Sequence, residues 1–337
     1  MTDVPRLPST RTGWHAGSGP ILVSALLALA AARALAAFVP LPAAWCLGAA
    51  RFVSPVLALS VPAMLLAAFL PAVSRSATPR FERLGNWIVA SRRGPWATFL
   101  VAAGVVAVLP DRTWFLGDFQ LRVGAIASQN WVGTYQNALP VERLLHFALS
   151  VLVPPGSGAA PNAIARVVGA VDAGLIALAG LHVARTLGAR GPAAIAILAL
   201  ATFGGHLAVC TGLPKAAGEM CVASVWCVAL AVRGVQAGHG TAGLGLVVAA
   251  ALLTHRSAVL LLPGWLLSLP RVGAEGRAGG RGAAVKAWLA GAAPLLVGIV
   301  LGRRLIEAFA GYDLFHHLGV ASGVSFSGWL ASRIAPL

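Results

Sequence analysis

The amino-acid sequence predicts an all-α fold, a bundle of transmembrane helices with about nine spans. Hydrophobic residues make up 58% of the 337 residues, charged residues only 10%, and the mean hydropathy is +0.83. A soluble globule of this composition would expose a large apolar surface, so the expected solvent is the bilayer. The 25 Lys and Arg residues outnumber the 10 Asp and Glu residues. They fall in short connectors between apolar runs, which indicates membrane topology and no nucleic-acid partner.

Nine apolar segments are long enough, or nearly long enough, to span the hydrocarbon core. The seventh and eighth are short, and together they form either a hairpin or one bent helix. The segments cover residues 20–39, 53–73, 88–109, 163–184, 192–209, 216–232, 241–253, 257–269 and 284–301.

The positions of the basic residues predict which side of the membrane each connector faces. With a cytoplasmic N-terminus, every dense basic cluster falls on the cytoplasmic side, and the 75–93 connector is a topology signal that also touches anionic lipid. The same orientation places the loop 111–162 and all residues after Gly302 outside the cytoplasm. It favours the hairpin, with His255 and Arg256 at its outer tip. The cytoplasmic basic connectors are 75–93, 185–190, 233 and 271–286.

Three parts follow from this topology. Residues 1–87 form a cytoplasmic tail, an added transmembrane hairpin and a basic cytoplasmic loop. Residues 88–301 form a transmembrane core with the outer loop 111–162, and residues 302–337 form an extracytoplasmic segment. The first apolar run is long enough to stay as an anchor, so no cleaved signal peptide is expected.

The outer loop carries a lone carboxylate, Asp118, just beyond a span. Trp114, Phe115 and Phe119 surround it in the sequence. Such an aromatic shell at the headgroup level would lower the local dielectric constant and stack on a sugar ring. The alternative is an ordinary interfacial aromatic belt, with Asp118 capping a helix that begins at Phe119.

From Pro140 the outer loop has the pattern of an amphipathic helix on the membrane surface. Apolar residues recur at helical spacing, whereas Glu142 and His146 lie one turn apart on the other face. These two side chains either line the same cavity as Asp118 and bind substrate, or they face water.

A second group of polar residues is cationic. His255 and Arg256 lie at the hairpin tip, and Lys215 lies in a polar break at another outer end. Together they would hold a phosphate, whereas singly each is a snorkelling or helix-end residue. Asp172 lies in the middle of a span and must face the protein interior, where a structural bond to a neighbouring helix is favoured over catalysis.

No metal and no cofactor is predicted, although a role for a divalent cation stays open. The cysteines show no C-x-x-C spacing, and three of the four lie in or beside apolar runs, which favours buried free thiols. Adjacent histidines such as His316 and His317 point to opposite sides of a helix or strand, so they make a weak metal site. The sequence contains no P-loop, dinucleotide fingerprint, zinc-protease motif or serine elbow.

Five segments between residues 96 and 270 follow one another in a distinctive order. They are the outer-loop LGDFQLR, the surface-helix LPVERLLH, the span ARVVGAVDAGLIALAGLHVARTLG, the break FGGH and the hairpin LLTHRSAVLLLPGWLL. This order resembles the membrane glycosyltransferases of the C-type superfold, which include the protein O-mannosyltransferases and the aminoarabinose and polyprenyl-phosphate-sugar transferases.

The resemblance implies an enzyme of the bacterial inner membrane. It would move a sugar from a polyprenyl-phosphate carrier to a glycan, lipid or protein acceptor at the extracytoplasmic face. Asp118 matches the first-loop acid and would be the general base that removes the acceptor hydroxyl proton. His255 and Arg256 match the outer hairpin, which would help to hold the carrier phosphate.

The sequence departs from the family pattern in three places. Phe119 stands where the family commonly has a second acid, and the FGGH break lacks the Glu-x-Tyr pattern of some relatives. The chain stops at Leu337, where relatives would enter further spans, so a truncated chain is expected.

Two other functions compete with sugar transfer. A transporter or lipid flippase is favoured by the intramembrane Asp172 and the many glycines, and it predicts a symmetry between the two halves that the sequence does not display. A non-enzymatic membrane scaffold predicts that substitution of the polar residues changes stability alone.

Overall fold

The computed structural model describes the chain in several stretches, and over these the predicted all-α class is confirmed because all regular secondary structure is helical. The described residues are 24, 28, 31, 32, 63, 70–109, 140–143, 145, 146, 163–203, 205–211, 216–237, 240–274 and 281–310. The chain divides into two compact units, Met1–Pro79 and Arg80–Leu337. The contacts below all lie within the second unit.

The described helices are numbered in chain order. Two 3₁₀ helices, Gly205–Thr211 and Arg256–Leu261, interrupt the series of α-helices. The α-helices are α1 (Pro71–Ala90), α2 (Gly94–Val108), α3 (Pro140–Arg143), α4 (Ala163–Thr186), α5 (Gly191–Thr202), α6 (Ala217–Ala237), α7 (Thr241–Thr254), α8 (Leu262–Ala274) and α9 (Arg281–Ala310).

Two stretches in this part of the chain, Ala163–Thr186 and Ala217–Gln236, are long and apolar enough to cross a membrane. α2, α5 and α7 are apolar but shorter. Large apolar side chains lie on the outside of the helices, such as Val108 at 81% exposure and Leu200 at 80%. Several polar side chains, such as Asp172, are buried beside an apolar core.

The start of the predicted span 88–109 is wrong. Ile88 belongs to α1, which ends at Ala90, and α2 begins at Gly94 with Pro95 in its first turn. A proline ring clashes with a preceding helical turn and lacks the backbone N–H that a continuing helix requires. The apolar run is therefore divided between two helices.

α4 is central, and it packs against α2, α5, α6 and the first 3₁₀ helix. Arg166, in its first turn, donates hydrogen bonds to the carbonyl oxygens of Ala107 at 3.1 Å and Leu109 at 2.9 Å. These carbonyls at the end of α2 have no partner within their own helix. Arg185, in the last turn of α4, does the same for the end of α1 by donating to the carbonyls of Ile88, Val89 and Ser91.

Glycines bring several backbones into direct contact, as the high glycine content predicts. A Cβ atom placed on Gly85 would lie 2.1 Å from the carbonyl oxygen of Gly191, at the start of α5. A Cβ atom on Gly245 of α7 would lie equally close, 2.1 Å, to the carbonyl oxygen of Gly291 of α9. No larger residue fits at either contact.

Residues 241–269 form a hairpin and not one bent helix. α7 ends at Thr254, and the following residue, His255, has an extended backbone (φ −154°, ψ 140°). The chain then turns back, since Ala258 shares a buried cluster with Ala251, and Trp265 of α8 packs against Val248 of α7. His255 therefore lies at the tip of the hairpin.

Candidate functional site

Glu142 and His146, the two polar residues of the predicted surface helix, are both buried. Each is only 2% exposed, and α3, which carries Glu142, packs against α7. The proline at the first helical position is where the sequence predicts it. The alternative in which Glu142 and His146 face water is wrong, because the polar face of this segment is turned into the protein.

Both residues meet the beginning of α6. The His146 Nε2 and Glu219 Oε1 atoms lie 2.5 Å apart, and the Glu219 side chain is 10% exposed. The Glu142 carboxylate accepts a hydrogen bond from the backbone N–H of Ala216 at 3.2 Å. The first N–H groups of a helix lack partners within the helix and favour negative charge, which explains why two acids gather at this end.

Asp172 approaches the same end of α6 from α4. It is 5% exposed, so it faces the interior as predicted. A Cβ atom on Gly218 would lie 2.4 Å from Asp172 Oδ2, so the carboxyl group lies directly over the backbone of α6. The carboxyl groups of Asp172 and Glu219 are close enough to repel each other when both are charged. We call Glu142, His146, Asp172 and Glu219 the acid–histidine cluster.

Two acids of the acid–histidine cluster, Asp172 and Glu219, lack a cationic partner within the described ranges. No described lysine or arginine pairs with Asp172 or Glu219. Burying a carboxylate without a paired charge is costly, and such groups in membrane proteins are typical of functional sites. Apolar packing alone does not explain this cluster.

Two buried polar atoms of the acid–histidine cluster have no described hydrogen-bond partner, and we call them open. His146 Nδ1 and Glu219 Oε2 are both buried, and neither has a hydrogen-bond partner among the residues that the structure describes. An unsatisfied buried polar atom costs about 1–3 kcal/mol. The pair therefore offers two positions for hydrogen bonds to a group outside the described chain.

The remaining predicted site residues divide into two sets. Asp118 and Lys215 lie outside the described residues, as do His316 and His317. His255 and Arg256 are described: His255 Nδ1 accepts a hydrogen bond from the backbone N–H of Ser257 at 3.2 Å and lies 2.8 Å from its Oγ atom. Arg256 is exposed.

The hairpin tip and the acid–histidine cluster lie at the same end of the bundle. Ala223 lies one turn after Glu219, and it shares a buried cluster with Ala251 and Ala258, which flank the tip. The predicted phosphate-binding residues His255 and Arg256 are thus placed at the end that holds Glu142 and His146.

Sequence reasoning did not include Glu219 or Asp172 in the site. Glu219 is the acid in the first turn of α6, and Asp172 interrupts an apolar helix. Both positions signal unusual polar groups, but His146 and Glu219 are 73 residues apart and no local pattern predicts their contact.

Neither a metal centre nor a disulfide is found in the described part of the chain. It contains no group of three or more His, Cys, Asp or Glu side chains arranged to hold a metal ion. Cys210, Cys221 and Cys227 are free thiols, and Cys210 is fully buried.

A separate apolar groove of about 490 Å³ lies at the opposite end of α6 from Glu219. Ser268 is one of its few polar residues, and its hydroxyl donates to the carbonyl of Trp265. The groove therefore has no convergent polar groups for chemistry. Its walls include Leu187, Val232, Val235 and Leu267.

Comparison with known proteins identifies no relative, because no protein-family model, no curated protein and no solved structure matches the chain.

Proposed function

We propose that the chain is a multi-pass membrane protein of about nine spans, with a cytoplasmic N-terminus, in a bacterial inner membrane. The exposed apolar residues and the buried acids support a lipid solvent, because in hydrocarbon polar side chains turn inward. Among the described helices, the two with span length, α4 and α6, carry Asp172 and Glu219.

Within this membrane bundle, the proposed activity is transfer of a sugar from a polyprenyl-phosphate carrier to a glycan, lipid or protein acceptor at the extracytoplasmic face. The observation that carries it is the burial of Glu142 and His146 at the start of α6, where His146 contacts Glu219. The sequence predicts these two residues either as substrate ligands or as water-facing groups, and their burial supports the first. Sites that bind small molecules are largely apolar with a few convergent polar groups, which is the composition of this end of the bundle.

The position of the loop also supports the proposal. Arg166 ties the end of α2 to the start of α4, so both ends of the segment 110–162 are anchored together. That segment carries Asp118 and contains α3, whose Glu142 belongs to the acid–histidine cluster.

In the proposed reaction Asp118 is the general base. It removes the proton of the acceptor hydroxyl as the oxygen forms a bond to the anomeric carbon of the sugar. The bond between that carbon and the carrier phosphate breaks, and the phosphate leaves with the electron pair. His255, Arg256 and Lys215 stabilise the negative charge of the phosphate.

A transfer assay tests the proposal. The protein is reconstituted in liposomes with a panel of polyprenyl-phosphate sugars and candidate acceptors, and products are measured by mass spectrometry. Asp118→Asn should lower the rate about 10²- to 10⁴-fold, whereas Asp111→Asn in the same loop serves as the matched control and should not. Equal rates for the two variants would remove Asp118 as the base. Assays with and without a chelator show whether a divalent cation takes part.

A second candidate, a transporter or lipid flippase, is favoured by one observation. Asp172 and Glu219 lie on the two helices of span length and interact with each other, as protonatable groups do in proton-coupled transporters. This function requires substrate flux across sealed vesicles that Asp172→Asn abolishes. Flux without any sugar transfer would replace the first proposal with this one.

A further inference from the structure

We propose that the buried His146–Glu219 pair binds hydroxyl groups of a polyol, the sugar ring of the carrier. This deepens the proposed function, on which the identity of the ligand as the carrier sugar rests. The starting point is the pair of open positions, His146 Nδ1 and Glu219 Oε2, which the hydrogen bond between His146 Nε2 and Glu219 Oε1 leaves without a partner.

The chemistry of these two atoms selects the ligand group. If Glu219 is ionised, His146 donates from Nε2, and a neutral imidazole then presents Nδ1 as an acceptor. If the imidazole is doubly protonated, Nδ1 becomes a donor. A hydroxyl group donates and accepts, so it satisfies His146 Nδ1 in either state, whereas a carbonyl or an ammonium group matches only one.

Two open atoms require more than one hydroxyl. Glu219 Oε2 accepts a hydroxyl proton when the carboxyl is ionised and forms a hydrogen bond with the same hydroxyl oxygen when it is protonated. Because two separate atoms of one hydrogen-bonded pair are open, a ring with hydroxyls at several positions fits better than a simple alcohol. This points to a sugar.

The charge of the surroundings excludes the other half of the carrier from this position. Asp172 and Glu219 are two acids that lie close together in this cluster, and no described lysine or arginine pairs with either of them. A phosphate would be repelled here. The sugar is therefore assigned to the acid–histidine cluster, and the phosphate to the cationic hairpin tip at the same end.

The pair is also held rigidly enough to select a ligand. Glu219 lies in the first turn of α6, and the neighbouring Ala216 is fixed to Glu142 through its backbone N–H. Asp172 lies over Gly218 on the other side. Because α3, α4 and α6 all contribute, the open atoms are presented by the scaffold and not by a single flexible side chain.

The test measures binding, which does not depend on turnover. The full chain in nanodiscs is titrated with polyprenyl-phosphate glucose, polyprenyl-phosphate mannose and bare polyprenyl phosphate, and complexes are counted by native mass spectrometry. We expect at least one glycosylated carrier to bind about 10-fold or more tighter than the bare carrier, as two additional hydrogen bonds would give. Deoxy-sugar carriers, tested on the unmodified protein, should lose most of this preference.

Two variants test whether Glu219 causes the preference for the glycosylated carrier. Glu219→Gln keeps the shape of the side chain and should bring binding of the glycosylated carrier close to that of the bare carrier, with no change for the bare carrier. Glu82→Gln, an exposed acid on α1, is the matched control. Equal binding of glycosylated and bare carriers by the unmodified protein, or a preference that survives Glu219→Gln, overturns the inference, and water then fills the open positions.

The outcomes also separate this inference from the proposed function. Selective, Glu219-dependent binding without transfer to any acceptor would support the sugar site and contradict the transferase. Transfer that is unchanged in Glu219→Gln would support the transferase and contradict the sugar site.

Discussion

The two ends of the α4–α6 pair use buried polar groups in different ways. At the end near Arg185, side chains complete the backbone: Arg185 donates to the last carbonyls of α1, and Asn86 Oδ1 accepts from the Gly191 N–H at 3.0 Å. At the end near Glu219, acids gather and two polar atoms stay open. The first end also holds one buried nitrogen without a described partner, His182 Nε2, but its hydrogen bonds complete helix termini, so we call it the backbone-capped end. Folding accounts for those hydrogen bonds. It does not account for the polar contacts of the second end.

This difference indicates which polar residues stabilise the fold and which are retained for function. A polar contact that satisfies a helix terminus stabilises the fold by itself. A buried acid without a charge partner destabilises the fold unless a ligand or a proton compensates it, and proteins retain such groups mainly at sites of function. Removing polar partners at the backbone-capped end should therefore lower stability. Removing the His146–Glu219 pair should instead preserve stability and abolish ligand preference.

The largest effect is expected at the backbone-capped end. Gly85→Ala places a Cβ atom 2.1 Å from the carbonyl oxygen of Gly191, and neither backbone can move without separating α1 from α5. We expect a loss of about 3 kcal/mol or more, the upper range for overpacked sites, measured as a lower midpoint of thermal unfolding in detergent.

The control for this substitution is Gly104→Ala in α2. A Cβ atom at Gly104 meets nothing within 4 Å, and replacing a glycine within a helix by alanine stabilises it by up to about 1 kcal/mol. Similar melting temperatures for the two variants would show that the α1–α5 contact is not a close backbone contact.

A smaller effect is expected at the start of α6. Gly218→Ala places a Cβ atom 2.4 Å from Asp172 Oδ2, but this obstacle is a side chain that can rotate, so the loss should be about 1–2 kcal/mol. In the background Asp172→Ala the same substitution should cost almost nothing. The two effects are measured by thermal unfolding as a double-mutant cycle, with an expected coupling of about 1–2 kcal/mol. Simple additivity would place Asp172 away from Gly218.

The helices were the most predictable part of the molecule, because apolar runs separated by charged connectors mark them directly. α4 and α7 lie within two residues of their predicted bounds. The break between α1 and α2 was missed, since hydropathy alone counts Pro95 as part of an apolar run. Proline acts through backbone geometry, which hydropathy does not measure.

The site was predictable only in part. Helical spacing placed Glu142 and His146 on one face, but spacing cannot tell whether that face turns to water or to protein. The partner of His146 is Glu219, and their contact depends on how α3 docks on α6. Long-range packing of this kind has no local signature. Asp118 as the base stays a prediction.

The smallest change in stability is expected for the pair itself. The double variant His146→Phe with Glu219→Leu removes both polar partners and fills the space with apolar groups. Replacing both partners of a buried polar pair is typically neutral or stabilising, whereas removing one leaves the other unsatisfied at about 1–3 kcal/mol. Glu219→Leu alone should therefore lower the thermal midpoint, and the double variant should recover it.

This recovery distinguishes the two ends most clearly. A double variant as stable as the unmodified protein, but without preference for glycosylated carriers, would show that the fold does not need the His146–Glu219 pair and that ligand binding explains its presence. If the double variant unfolds as readily as Glu219→Leu, the pair holds α3 on α6 as Arg185 holds α4 on α1. The acid–histidine cluster would then belong to the architecture, and the search for the sugar site would move to the loop that carries Asp118.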